Sequence, residues 1–156
     1  ADVHDTKFGK LGVLVCEDLW HMSLPLLQAL KGAKVIIGIA VSPTRLALNS
    51  KSKILKNYEI NSEQHRAYAR LLSIYMVFCN RVGYEDGVNF WGGSEIVDPF
   101  GTVDKVAKFF DEDMITSEIN MNSIKRARQL ARHFLDEDVN FLRNEVQLLH
   151  DELAKI

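Results

Sequence analysis

The segment Lys10-Leu11-Gly12-Val13-Leu14-Val15 is apolar almost throughout and reads as a buried strand. Val35 to Ala40 is a second unbroken apolar run, of the kind that predicts a strand covered on both faces, and Ile74 to Cys79 is a third. Between the first two, Pro25 opens an apolar stretch, roughly Leu24 to Lys31, that closes at Gly32 and predicts a helix. Strand, helix and strand in that order make a right-handed crossover unit with parallel strands, so the fold class is α/β with a mixed sheet and helices packed on it.

Beyond Ala40 the pattern loosens. Ser42-Pro43 and the basic, serine-containing stretch Asn49 to Lys56 predict a connection long enough to be functional, and Asn61-Ser62-Glu63 is a helix-start signal for a helix reaching Leu71 or Leu72. Asn80-Arg81-Val82-Gly83 reads as a polar turn in which Gly83 takes a backbone conformation that other residues avoid. Asp98-Pro99-Phe100-Gly101 is a turn between strands at Ser94 to Val97 and Thr102 to Phe109, which predicts an antiparallel hairpin; a further strand is expected at Met114 to Ile119. From Asn122 the period becomes helical, and Val139, Leu142, Val146, Leu149 and Leu153 recur at alternating spacings of three and four, giving the last helix a continuous apolar seam. The expected organisation is an α/β unit over residues 1–120 and a helical tail over 121–156 that packs or dimerises.

Composition narrows the function. In 156 residues, 19 Lys and Arg stand against 21 Asp and Glu, a formal net charge of -2, so no cationic surplus is available for nucleic acid or an anionic membrane. No apolar stretch is long enough to span a bilayer and Ala1-Asp2-Val3-His4-Asp5 lacks signal-peptide regions, which makes the cytoplasm the expected compartment. The two cysteines form no CxxC pair and the five histidines show no ligating spacing. Neither a metal nor a cofactor is expected, and Cys16 and Cys79 read as free thiols.

Cys16 carries the candidate chemistry. It ends an apolar strand and is followed at once by Glu17-Asp18-Leu19-Trp20, which places its thiol on the sharp turn where α/β enzymes expose a reactive side chain. The backbone N–H of Glu17 is the expected oxyanion donor, since the residue after an elbow nucleophile commonly supplies one. Trp20 and Ser42, the latter at the end of the neighbouring strand, are the expected substrate-binding residues, because ligands in open α/β folds sit at the carboxyl edge of the sheet. An equal reading of Trp20 is a cover over the sheet edge. Asp18 is given a capping role, His21 a solvated one and Cys79, inside Met76-Val77-Phe78, a packing one. The basic residues Lys125, Arg126, Arg128 and Arg132, balanced by Asp136, Glu137 and Asp138, read as the wet face of a helix.

These motifs, taken in order, resemble the nitrilase or carbon-nitrogen hydrolase superfamily. Phe8-Gly9-Lys10-Leu11-Gly12 leads into Val13 to Leu19, followed by Leu30-Lys31-Gly32-Ala33-Lys34-Val35-Ile36, Asn80-Arg81-Val82-Gly83 and Phe90-Trp91-Gly92-Gly93-Ser94-Glu95-Ile96-Val97-Asp98-Pro99-Phe100-Gly101. The elbow is most similar to the glutaminase domains of glutamine-dependent NAD synthetases. Relatives often carry Glu-Asn where this chain has Leu71-Leu72, so polar helix-end contacts give way to apolar ones.

The resemblance implies the C-terminal half of an α-β-β-α sandwich and a thiol amidase with a Glu-Lys-Cys triad acting on a small amide substrate through a thioester. Of that triad only Cys16 falls on a matching position; the glutamate and lysine belong to positions ahead of Phe8, in a half supplied in cis or in trans. A thiol without a neighbouring base or cation is a poor nucleophile at neutral pH, so the polypeptide alone is expected to be inactive. A homo-oligomer is expected from the family's habit of dimerising. The alternative is a non-catalytic interaction or assembly module that keeps the fold without the triad.

Overall fold

A computed structural model describes residues 1–44 and 55–155. Most of the expected Asn49–Lys56 connection therefore lies outside the described residues. A hairpin of β1 (Val3–Thr6) and β2 (Gly9–Val15) leads through a 3-10 turn, Cys16–Trp20, into α1 (Ser23–Leu30) and β3 (Val35–Ala40). Next come α2 (Lys56–Leu72), β4 (Tyr75–Asn80), the short strands β5 (Val82–Glu85), β6 (Val88–Trp91), β7 (Glu95–Val97) and β8 (Val103–Val106), then α3 (Met121–Leu130), a 3-10 turn at Arg132–Phe134, and α4 (Val139–Leu153). Six strands form one mixed sheet in the order β1-β2-β3-β4-β7-β8, while β5 and β6 pair separately.

The parallel pairing expected from the crossover pattern is present: Leu11 lies opposite Val35 and Val35 opposite Tyr75, so β2, β3 and β4 run together. The hairpin of β7 and β8 is antiparallel. Its turn is set by Asp98, whose Oδ1 accepts from the backbone N–H groups of Phe100 and Thr102, both at 2.9 Å. Three expectations are corrected. Residues 114–119 form no strand; they run as irregular chain to α3, whose start is capped by the Asn120 side chain. The helix expected from Asn61 starts at Lys56, so Asn61 and Ser62 lie inside it. Asn80 to Gly83 is not a simple turn but the end of β4 and the start of β5, whose hairpin with β6 reverses at Asp86-Gly87; Gly83 does sit at φ +106°.

Strand alternation sends the two faces of the sheet to different fates. Leu14, Ile36, Met76 and Phe78 are buried in one core with Ala29 of α1 and with Ala69 and Leu72 of α2. The opposite face is covered only at one end, where Val35 and Tyr75 pack with Ile124 of α3. Towards the carboxyl ends of the strands that face is open: Val13, Val15, Ile39 and Cys79 are exposed, with Val15 at 57% and Ile39 at 47%. The expectation of strands covered on both faces, and of Cys79 as a packing residue, is therefore corrected. Cys79 points to the face opposite Phe78, and apolar runs do not reveal which face lacks a partner.

Candidate functional site

β2 delivers Cys16 in an unusual backbone state. Val15 is extended at φ -118°, and Cys16 turns to φ +50°, the left-handed region that a residue with a Cβ seldom occupies. The surroundings hold it there. The N–H of Val15 donates to Asp18 Oδ2 at 2.9 Å, which gives Asp18 the structural part expected of it. Leu19 is buried against Gly38, where an added Cβ would lie 2.9 Å from Leu19 Cδ1. The Leu19 carbonyl, at the end of the turn, accepts from Gln64 Nε2 at 2.8 Å and Tyr68 Oη at 2.9 Å, so α2 clamps the elbow from above the sheet. Tyr68 is a hydroxyl donor at neutral pH like any tyrosine, and burial pushes its pKa further up.

A strained residue whose side chain is exposed makes a measurable prediction. Cys16→Ala keeps the Cβ and its strain, whereas Cys16→Gly relieves it and forfeits almost no packing. Cys16→Gly is expected to be more stable than Cys16→Ala by about 1 kcal/mol. Urea unfolding of the pair checks this, and equal midpoints would show that the turn carries no such strain.

The thiol opens on a cavity of ≈ 560 Å³, within the range of small-molecule sites. Cys16, Glu17, Trp20 and Ser42, the four residues expected to make up the site, all line it. Ala40, Val41 and Pro43 form a second side and Asn57, Ile60 and Asn61 of α2 a third. Trp20 is half exposed, so it borders the cavity and not the core. Glu17 lies in the first turn of the 3-10 segment, where backbone N–H groups lack partners within the helix. Ser42 is fixed from behind: its N–H donates to Asn80 Oδ1 at 2.9 Å, and its Oγ accepts from Trp91 Nε1 at 3.1 Å. Asn80 in turn donates from Nδ2 to the Gly92 carbonyl at 2.9 Å. This is the local reason for the Asn80-Arg81 and Trp91-Gly92-Gly93-Ser94 segments: the first closes β4 under the pocket wall, and Gly93 fits where a Cβ would lie 2.4 Å from the Phe109 ring.

Asn57 and Ile60 were not legible as site residues because the helix was expected to begin only at Asn61, itself taken as part of the start signal; with the true start, Ile60 and Asn61 lie three and four residues after Asn57 and share its face. Other residues fall away from the site. His21 is exposed, as expected. Leu72 is buried and Leu71 is 54% exposed, so only one of the two apolar replacements at the end of α2 packs. Lys125, Arg126 and Arg132 are on the wet face expected of them, but Arg128 turns inward and sets its guanidinium 4.7 Å from the Phe134 ring centre, where burial lowers its pKa. Among the described residues no group of three or more His, Cys, Asp or Glu could hold a metal ion, and no helix is long and apolar enough to cross a membrane.

Residues 1–129 match the family model for carbon-nitrogen hydrolase. The chain is 32% identical over 115 residues to the glutamine-dependent NAD(+) synthetase of Thermotoga maritima, an alignment covering 72% of this chain and 18% of that protein. It is 27% identical over 131 residues to the N-carbamoylputrescine amidase of Oryza sativa subsp. japonica, covering 79% of this chain and 42% of that one. In structure it is similar to the carbon-nitrogen hydrolase from Helicobacter pylori G27, with a TM-score of 0.77 at 25% identity over 92% of this chain and 51% of that one. The chain thus spans less than half the length of these two curated relatives. A family match over most of its length, on a mixed sheet of the same fold, makes this chain a member of the carbon-nitrogen hydrolase family.

Proposed function

We propose that this chain supplies the nucleophile of a thiol amidohydrolase acting on a small carboxamide. The observation that supports this most is Cys16 itself, held at φ +50° with its thiol exposed at the mouth of a cavity of ≈ 560 Å³. In this reading the Cys16 thiolate attacks the amide carbon and the carbonyl oxygen becomes an oxyanion that the Glu17 N–H stabilises. The C–N bond breaks, the nitrogen takes a proton and leaves as ammonia or an amine, and a thioester remains on Cys16. Water then attacks the thioester, releasing the acid and restoring the thiol. Trp20 and Ser42 border the bound amide.

The base and the cation for these steps come, in this proposal, from a glutamate and a lysine on a further segment in cis or in trans. Among the described residues that line the cavity, Glu17 is the single charged side chain, and it follows the nucleophile instead of facing it from another element. The open face around Val13, Val15, Ile39 and Cys79 supports the same reading, since an apolar surface of adjoining strands calls for a second packed layer. A glutaminase-like substrate is favoured by the resemblance of Cys16-Glu17-Asp18-Leu19-Trp20 to the NAD synthetases.

Ammonia release from glutamine and from neutral short amides tests the proposal. The chain alone is expected to be inactive and to gain activity when joined to or mixed with the glutamate- and lysine-bearing half. Hydrolysis by the chain alone would overturn the need for that half. Silence of the assembled protein on every amide would favour the non-catalytic assembly module.

A further inference from the structure

The pocket wall at Ser42 offers a proton and not a lone pair. Ser42 is tied twice: its N–H donates to Asn80 Oδ1 at 2.9 Å, and its Oγ accepts from Trp91 Nε1 at 3.1 Å. An indole nitrogen can only donate, so the hydroxyl oxygen is the acceptor in that pair and its own hydrogen has to point elsewhere. No described residue accepts that hydrogen, and Ser42 lines the cavity. With its N–H already engaged, Ser42 faces a ligand through its hydroxyl as a donor.

Trp91 holds this polarity in place. Its side chain is 0% exposed and lies among Phe78, Tyr58 and Phe109, with ring centres at 6.1, 6.3 and 6.4 Å. Packed in this way the indole keeps its N–H in one direction, and a Ser42 rotamer that turned away would leave that N–H buried and unpaired. The chain after Ser42 is laced to the strand that carries Trp91: Pro43 bridges to Phe90, and the N–H of Thr44 donates to the Asn89 carbonyl at 2.8 Å.

Position tells which part of a substrate meets the hydroxyl. Val15 lies opposite Ile39, so the same register carried on sets Cys16 beside Ala40 and Ser42 two residues further. Two residues of extended chain are about 6–7 Å. That separation matches an atom several bonds from the carbon that Cys16 attacks.

We infer that Trp91 is a positioning residue that selects the substrate: by locking Ser42 as a hydrogen-bond donor, it favours small amides with an acceptor oxygen at their far end over amides of the same shape that end in hydrocarbon. This role rests on the amidase reading above.

Glutaramide against 5-methylhexanamide, in which an isopropyl group replaces the far carboxamide, tests it on the assembled protein. The readout is the ratio of kcat/KM for the two amides, which loss of folded protein leaves unchanged because both are measured on one preparation. The parent is expected to prefer glutaramide. Ser42→Ala and Trp91→Phe are each expected to lower the ratio about tenfold or more, and the double variant no further than Ser42→Ala. Ser42→Thr keeps a hydroxyl and is expected to retain most of the preference. Benzothienylalanine in place of Trp91 removes the N–H at nearly unchanged ring size and is expected to match Trp91→Phe, which separates the hydrogen bond from packing. No preference in the parent, a ratio that the two replacements of Trp91 leave unchanged, or losses that add in the double variant would overturn the role of Trp91 while leaving amide hydrolysis standing. Silence of the assembled protein on both amides would overturn the amidase reading and this role with it.

Discussion

Replacing Cys16 with alanine is expected to remove amide hydrolysis by the assembled enzyme, with kcat/KM falling on the order of 10⁴-fold or more. The size of the effect follows from the role: without the sulfur no thioester forms, and an oxyanion donor with no nucleophile leaves only weak catalysis by binding. The thiol is exposed and buries nothing, so a folded Cys16→Ala protein is expected and loss of activity by unfolding is not. Alkylation with iodoacetamide at pH 7 gives the independent arm. Cys16 and Cys79 are both exposed in this chain, so accessibility does not favour either here. In the assembled protein, where the base is present, Cys16 is expected to react about tenfold faster or more. Equal rates at the two thiols, or an alanine variant that retains activity, would end the nucleophile assignment.

The parts of the fold that the sequence announced are those in which one local signal is decisive. Leu11 to Val15, Val35 to Ala40 and Ile74 to Cys79 could be read as strands because each is apolar and bounded, and Asp98-Pro99-Phe100-Gly101 because its aspartate makes the turn by itself. The hairpin of β5 and β6 carried a signal of the same strength, Asp86-Gly87 between alternating residues, and it lost to the more conspicuous Asn80 to Gly83. Residues 114–119 had the apolar content of a strand, yet they join no ladder and touch β8 through a side chain, Ser117 donating to Asp104 Oδ2. The site divides in the same way. Cys16, Glu17 and Trp20 fall within one five-residue turn, and Ser42 follows the adjacent strand, so chain order alone brings them near one another. Asn80 and Trp91 reach Ser42 only because β4 and β6 fold beside it, and no spacing in the chain encodes that meeting. The fate of Cys79 was illegible for a further reason: Met76-Val77-Phe78-Cys79 alternates across a sheet, and burial of the Cys79 face depends on what covers it.

The largest expected loss of stability lies at a pair that no local signal marks. His65 of α2 and Glu95 of β7 are 0% and 1% exposed, with Nδ1 and Oε1 2.7 Å apart, and Ser62 Oγ donates to Glu95 Oε2 at 3.0 Å. The imidazole also lies 4.4 Å from the Phe78 ring centre, in the core between helix and sheet. Removing either partner strands the other where water cannot replace it, so His65→Ala and Glu95→Ala are each expected to cost about 3 kcal/mol or more. That is a large share of a stability of about 5–15 kcal/mol for a domain. His65→Leu/Glu95→Leu removes both polar groups together and is expected to unfold later than either alanine variant, because neither side of the 2.7 Å contact is left behind without the other. Urea unfolding of the two alanine variants and of His65→Ala/Glu95→Ala yields the coupling directly. Activity is expected to fall with the single variants even where they remain folded, since α2 carries the pocket wall of Asn57, Ile60 and Asn61 and the Gln64 and Tyr68 donors that hold Leu19. Should both alanine variants unfold within about 0.5 kcal/mol of the parent, the pair would be a passenger in the core, and the rigidity of the elbow would have to come from Leu19 and Gly38 instead.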